Sequence, residues 1–527
     1  MLSKLQLFFR HINQRYYFDY FAIFFVALTL FSWLQSSPTL PEPDSFYHAK
    51  MAVMFSEGKI LHQFPWLQET GLKNVFVDHH FLYHLLLVPF VTLFNPLIGV
   101  KIATVLFASF LVLSIYWLFK KFQIKYPFLF VIGLLTVSPW LFRVSLVKAP
   151  ALALIGLILA FYFIVHQKWL GLFLISFLSV WLYAGWPIIL VLTFVYSAIF
   201  KVMEKWRKEE SIWHKLRHLF NAINHRAPYL GLAYSILGVG AGIIVNPYFP
   251  ANLKFYWQQI FEIAVVNYQK VIGVGGEWYP YGFLKLISDA PLACSLLLIS
   301  LLLFALTLKK QSIYSVTWGV LAVSFLLLTL KSRRQVEFFV PITFIFASFC
   351  FNDYLKKFAK FRHEFFPSFG WRAFFAPAFV LLGLCFVIMA PGNLAKAKHD
   401  IARGWNLKHY QNSGEWLVKN TPEKSIIFNV DWDDFPALFY YNSHNYYLTG
   451  LDPTFMYQNN PARYWKYVNI TLGLEPIKMA QQIKNDFQSA YVFLDLKHEL
   501  LNKQLKFNSF FKKVYEDNEA RIYQFNP

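Results

Sequence analysis

The stretch IATVLFASFLVLSIYWLF, residues 102–119, holds eighteen residues without a charge. An α-helix rises about 1.5 Å per residue, and the hydrocarbon core of a bilayer is about 30 Å thick. A run of this length therefore predicts a helix that crosses a membrane. Similar runs recur through the first 391 residues and predict about eleven spans. Composition agrees: 57% of the chain is hydrophobic and 15% is charged, against about 25% charged in a soluble protein. The first run, Asp19 to Trp33, lacks a small-residue cleavage site and reads as an anchor rather than a signal peptide. No internal repeat or low-complexity segment interrupts the series.

The charge pattern orients the spans. A formal charge of +20 raises the question of nucleic acid. In a multi-span chain, excess Lys and Arg instead mark cytoplasmic loops, and no nucleic-acid partner is expected. Lys4, Arg10 and Arg15 place the N-terminus inside. Spans then fall at about 18–36, 97–119, 126–140, 149–166, 168–183, 187–203, 229–246, 291–308, 313–330, 337–351 and 373–391. The basic loop KVMEKWRKEESIWHKLRHLFNAINHR lies on the cytoplasmic side. Two large segments, about 37–96 and 247–290, lie outside, and within the first the run FLYHLLLVPFVTLF lies along the interface. Cys294, Cys350 and Cys385 all sit in apolar runs, so neither a disulfide frame nor a metal knuckle is read.

After residue 391 the apolar runs stop. Residues 392–527 read as a soluble external α/β domain that follows the transmembrane domain 1–391. The helix GEWLVKN, the strand SIIFNV, the buried strand SAYVFLDL and a hairpin about Asp517-Asn518 alternate as such a domain requires. The expected fold class is thus an α-helical multi-span membrane protein with a C-terminal α/β domain. The N-terminus is cytoplasmic and the C-terminal domain external, or periplasmic if the membrane is a bacterial inner membrane.

This topology collects chemistry on one face. Asp44, Asp78, His79, His80, Arg143, Glu277, Arg333, Arg334 and Asp431–Asp434 all fall outside. The loop KSRRQVEFF breaks the positive-inside pattern, either through an error of one span or because it builds an anion site. Arg suits phosphate, since its planar fork donates two hydrogen bonds to two oxygens. Arg143 and Lys148 lie on the same side, so Arg143, Lys148, Arg333 and Arg334 are candidates for a donor phosphate. Asp44 reads equally as the N-cap of the helix SFYHAKMAVMF. DHH also reads as interfacial histidines, and Trp432, Asp433 and Asp434 as a helix cap with a packing Trp.

The order of these motifs resembles the GT-C membrane glycosyltransferases, most closely the catalytic subunit of oligosaccharyltransferase. Asp44 in PDSFYH matches that family's Asp soon after span 1. Glu277 in GVGGEWYP is similar to its external Glu motif. Arg333 or Arg334 in KSRRQVEFFVP is similar to its phosphate-binding Arg. GEWLVKNTPEKSIIFNVDWDDFPAL has the layout around its WWDYG motif, with Trp432 and Asp433 at matching places. Two features depart. RVSLVKAPALAL keeps Arg143 but has Lys148-Ala149-Pro150 where an acidic pair would supply a metal ligand. DWDDF replaces WWDYG, which leaves asparagine-sequon specificity open.

The resemblance implies transfer of a sugar or oligosaccharide from a polyprenyl phosphate or diphosphate to a protein, lipid or glycan acceptor at the membrane. Asp44 and Glu277 are the catalytic candidates, Asp44 as general base or metal ligand. Trp432, Asp433 and Asp434 are the acceptor candidates. Asp44, Glu277 and one of Asp78, His79 or His80 could hold Mn²⁺ or Mg²⁺. A metal-free route with Asp44 as base stands beside it, with Lys148 in the cation's place. The alternatives are a monosaccharide transferase resembling aminoarabinose or protein-mannosyl transferases, and a non-catalytic GT-C relative. A transporter would place its ionisable groups near mid-span, and these spans are nearly free of charge.

Overall fold

The computed structural model describes residues 17–209, 227–308, 311–365 and 371–526. Lys4, Arg10, Arg15, residues 210–226 of the basic loop and Lys309-Lys310 lie outside them. Every apolar segment expected to span is helical. Among the described residues, four helices are long and apolar enough to cross a membrane: Pro96–Lys121, Pro187–Glu204, Ile313–Lys331 and Arg333–Lys356. The number becomes six if each of two bent pairs counts as one span. Phe18–Leu34, Pro150–Val165, Trp169–Leu182 and Tyr229–Ile244 are apolar but shorter. Among the described residues, four to six of these helical segments meet the span criterion.

Proline explains both bends. Pro127–Leu134 and Ser138–Val144 meet at 78°, and Phe283–Asp289 and Pro291–Leu306 meet at 105°. Pro139 and Pro291 each stand in the first turn of the second helix. There the missing N–H costs nothing, whereas a continuous helix would lose a hydrogen bond and clash with the preceding turn. Pro96 starts its helix in the same way, with the Asn95 side chain accepting from Leu97 N at 3.2 Å.

The C-terminal part forms a five-stranded mixed sheet. With β1 (Thr39–Leu40) and β2 (Trp405–Asn406) paired separately, its strands are β3 (Ile426–Asn429), β4 (Tyr446–Tyr447), β5 (Tyr491–Asp495), β6 (Phe511–Glu516) and β7 (Ala520–Phe525), in the order β4-β3-β5-β7-β6. All five residues of β5 are buried, as a central strand covered on both faces requires. β6 and β7 form the antiparallel hairpin expected about Asp517-Asn518. The helix Trp371–Ala402 runs through residue 391, so the expected domain boundary falls inside a continuous helix.

The first large segment is stitched to this sheet. Tyr447 N donates to Trp66 O and Gln68 N to Tyr447 O, each at 2.8 Å, so the chain at 66–68 covers the β4 edge. β1 pairs antiparallel with β2. Phe46 packs against Tyr440 and Tyr441, which joins the helix Asp44–Ser56 to the helix Phe435–Tyr441. These contacts bring the N-terminus of the Asp44 helix to the mouth that Trp432 and Asp433 overlook.

Candidate active site

A cavity of about 620 Å³ opens where the helices, the two large segments and the C-terminal domain meet. Its polar floor carries Glu42, Asp44, Arg143, Lys148, Glu277 and Arg334. Its apolar wall comes from the helices, with Val191, Leu321, Phe325, Leu328 and Phe338. Trp432, Asp433 and Asp452 face it from the C-terminal domain.

The floor is one hydrogen-bonded group. Arg143 donates from Nε and Nη2 to Glu337 Oε2 at 3.0 and 2.7 Å, and from Nη1 to Glu277 Oε2 at 2.6 Å. Arg334 donates from Nη1 to Glu277 Oε1 at 3.0 Å and from Nη2 to the Tyr183 hydroxyl at 2.9 Å. Its guanidinium also lies 5.0 Å from the centre of the Trp278 ring, a favourable cation–π distance. Lys148 Nζ stands 2.5 Å from Glu42 Oε2, 3.1 Å from Asp44 Oδ2 and 3.7 Å from Glu277 Oε2. The Ser332 hydroxyl donates to Glu277 O at 3.0 Å, which ties the Glu277 loop to the Arg334 turn.

Burial opposes the charged form of Glu277, but Lys148, Arg334 and Arg143 hold its carboxyl well below the usual carboxylate range. Burial pushes Glu42 the other way, up to about 7 against the pull of Lys148. Asp433 is raised by burial, and by Asp44 and Asp431, to about 8. Because Asp433 binds its proton more tightly when folded, stability that depends on it is present below pH 3.8 and is lost as pH rises towards about 8. Asp433→Asn is expected to flatten that fall. Thermal unfolding midpoints of wild type and variant across this window check it: the two curves should diverge as pH rises, with the variant the more stable.

The other candidates are distributed as follows. Arg333 is exposed and donates from Nε to Pro280 O at 3.1 Å, away from the cavity. Its neighbour Arg334 faces the floor because the short turn Arg333–Gln335 points successive side chains in different directions. Asp434 is buried and accepts from the Tyr410 hydroxyl at 2.9 Å, so it secures the domain interior while Trp432 and Asp433 face the cavity. Asp78 is 2% exposed and accepts from His84 Nδ1 at 2.6 Å and from His80 N at 2.9 Å. His84 Nε2 in turn lies 2.8 Å from His48 Nδ1. His79 and His80 line the cavity; burial lowers His79 to about 4 and His80 well below its ordinary value, so both are neutral at pH 7. Asp78→Ala should lower stability by about 2–3 kcal/mol, because it leaves the buried His84 donor unpaired. A thermal shift as small as that of an exposed-residue control would contradict this.

Tyr183 and Glu337 join the site without having been picked out from sequence. Glu337 carried a readable signal, an acid three residues after Arg334 in the first turn of an apolar helix.

A divalent cation does not fit the residues present. The oxygens of Glu42, Asp44 and Glu277 that converge are directed at Lys148 Nζ, and the second Glu277 oxygen accepts from Arg334. Both Asp78 oxygens are engaged by His84 and His80. Among the described residues, no three His, Cys, Asp or Glu side chains are grouped so as to hold a metal ion.

No protein-family model matches the sequence, and no curated protein matches it. Solved structures do. Oligosaccharyltransferase AglB from the archaeon Archaeoglobus fulgidus, in complex with an inhibitory peptide and a dolichol-phosphate, superposes with a TM-score of 0.62 at 11% identity, over 98% of this chain and 75% of that one. The apo form of the Archaeoglobus fulgidus oligosaccharyltransferase gives 0.62 at 12% identity, over 92% and 71%. Arabinofuranosyltransferase AftD from Mycobacteria gives 0.51 at 11% identity, over 96% of this chain and 40% of that one. At these identities the likeness is one of fold: the chain has the architecture shared by these membrane glycosyltransferases, the GT-C fold.

Proposed function

We propose that the chain transfers a sugar or oligosaccharide from a polyprenyl phosphate or diphosphate to an acceptor at the outer face of a membrane. One observation carries the reading. A single cavity joins a floor of acids and guanidinium groups to an apolar wall on the helices. A lipid-linked sugar phosphate has that division, with its tail in hydrocarbon and its reacting bond at the polar boundary.

In this reading Asp44 accepts the proton from the acceptor as its nucleophilic atom forms a bond to the anomeric carbon. The bond from that carbon to the phosphate oxygen breaks, and its electron pair stays on the phosphate. Arg334 stabilises the charge that develops there. Its hydrogen bonds to Glu277 and Tyr183 use two of the five N–H donors of a guanidinium. Fixed positive groups of this kind typically contribute roughly 10²–10³ in rate. Glu277 holds Arg143, Arg334 and Lys148 in register. Trp432 and Asp433 face the acceptor, and the C-terminal domain lies external.

A second reading, transfer of one sugar to a lipid or glycan hydroxyl, is supported by the C-terminal wall. Asp433, raised to about 8, is a neutral carboxyl at pH 7 and can hydrogen-bond a sugar hydroxyl. Product analysis separates the two readings.

The test is binding of undecaprenyl phosphate to the purified full chain in nanodiscs. Wild type should bind saturably, and Arg334→Gln should bind roughly 10²-fold more weakly. Equal binding by both, or none by wild type, overturns the proposal.

A further inference from the structure

The disagreement between the site and a metal has a specific cause. Lys148 Nζ is approached by three carboxylates from separate parts of the chain: Glu42 and Asp44 from the first large segment, and Glu277 from the second. The Lys148 side chain is 10% exposed, so its ammonium is part of the floor rather than a solvated group above it. A hard divalent cation needs several carboxylate or carbonyl oxygens at about 2.0–2.6 Å. Here the converging oxygens already meet an ammonium. A second cation beside Lys148 would suffer like-charge repulsion in a partly desolvated site, with Arg143 and Arg334 adding to it. Glu42 Oε1 and Glu337 Oε1 are buried without hydrogen-bond partners, but two leftover oxygens from separate acids fall short of the several that a divalent cation needs.

We infer that the Lys148 ammonium permanently takes the place of a divalent cation in this site, so that the donor phosphate is held without a metal. The inference rests on the transferase reading above. It makes Lys148 the residue that decides metal dependence: an acid there would join Asp44 and Glu277 and remove the opposing charge. The ammonium is covalently fixed, so the charge at the floor does not vary with metal supply.

Titration of the purified full chain with Mn²⁺, read by the electron paramagnetic resonance signal of free Mn²⁺, tests this. Wild type should show no saturable site that Asp44→Asn removes. Its binding of undecaprenyl phosphate should be unchanged by excess EDTA. Lys148→Asp should bind one Mn²⁺ on the order of 10²-fold more tightly than wild type. One Mn²⁺ held by wild type and lost in Asp44→Asn would overturn the inference, as would loss of undecaprenyl phosphate binding in EDTA. A folded Lys148→Asp with no gain in Mn²⁺ affinity would also overturn it. If Lys148→Asp does not fold, the two wild-type measurements decide. If wild type binds no undecaprenyl phosphate with or without metal, the transferase reading fails, while the Mn²⁺ titration still decides the role of Lys148.

Discussion

Asp44→Asn should lower sugar transfer by roughly 10²–10⁴-fold, the range that one positioned general base supplies. The substitution changes one atom and keeps the size of the side chain. Asn remains compatible with the start of the helix Asp44–Ser56, whose cap residue is Pro43 and which owes nothing to an Asp44 side-chain cap bond. Lys148 loses one anionic neighbour but keeps Glu42 at 2.5 Å. The loss should therefore fall on kcat, with undecaprenyl phosphate binding within a few-fold of wild type. A variant that transfers sugar at the wild-type rate would remove Asp44 from the mechanism. A variant that loses binding and activity together would assign it a structural role.

Arg143→Leu should act on stability, by about 3–5 kcal/mol. Glu337 is 2% exposed and receives two hydrogen bonds from Arg143. Removing the guanidinium strands that carboxylate with only Arg334 Nε nearby, at 3.9 Å. The penalty arises from the uncompensated acid more than from a lost attraction, so the double variant Arg143→Leu with Glu337→Leu should recover much of the loss. Thermal unfolding of the purified single and double variants measures both. If the double variant is as unstable as the sum of the two single changes, the pair is not coupled as described.

Local chemistry made most of the architecture readable in advance. Runs such as 102–119 carry their helical outcome in their own composition. The β6–β7 hairpin is announced by Asp517-Asn518 between two β-rich runs. The two bends were harder to see, because a proline inside an apolar run looks much like one at the start of a new helix. Hence 126–140 read as one span, whereas the chain turns by 78° within it. Charge bias placed Asp44, Arg143, Glu277 and Arg334 on one side, and these four share the floor of the cavity with Lys148. Charge bias cannot say which acid meets which base. Arg143 and Glu337 are 194 residues apart, and no local pattern links them. The adjacent residues Arg333 and Arg334 are equivalent in sequence, and only the turn that carries them separates their roles. Asp434 and Asp78 likewise read as site residues until their partners, Tyr410 and His84, are seen.

The central claim is that separate segments form one mouth for a polyprenyl phosphate. The most direct test is photolabelling of the full chain in nanodiscs with undecaprenyl phosphate carrying a diazirine next to the phosphate, followed by peptide mass spectrometry. The account predicts label on the peptides that contain Lys148, Tyr183 or Arg334, competed by unmodified undecaprenyl phosphate and strongly reduced in Arg334→Gln. Label confined to other helices, or unchanged in Arg334→Gln, would contradict it.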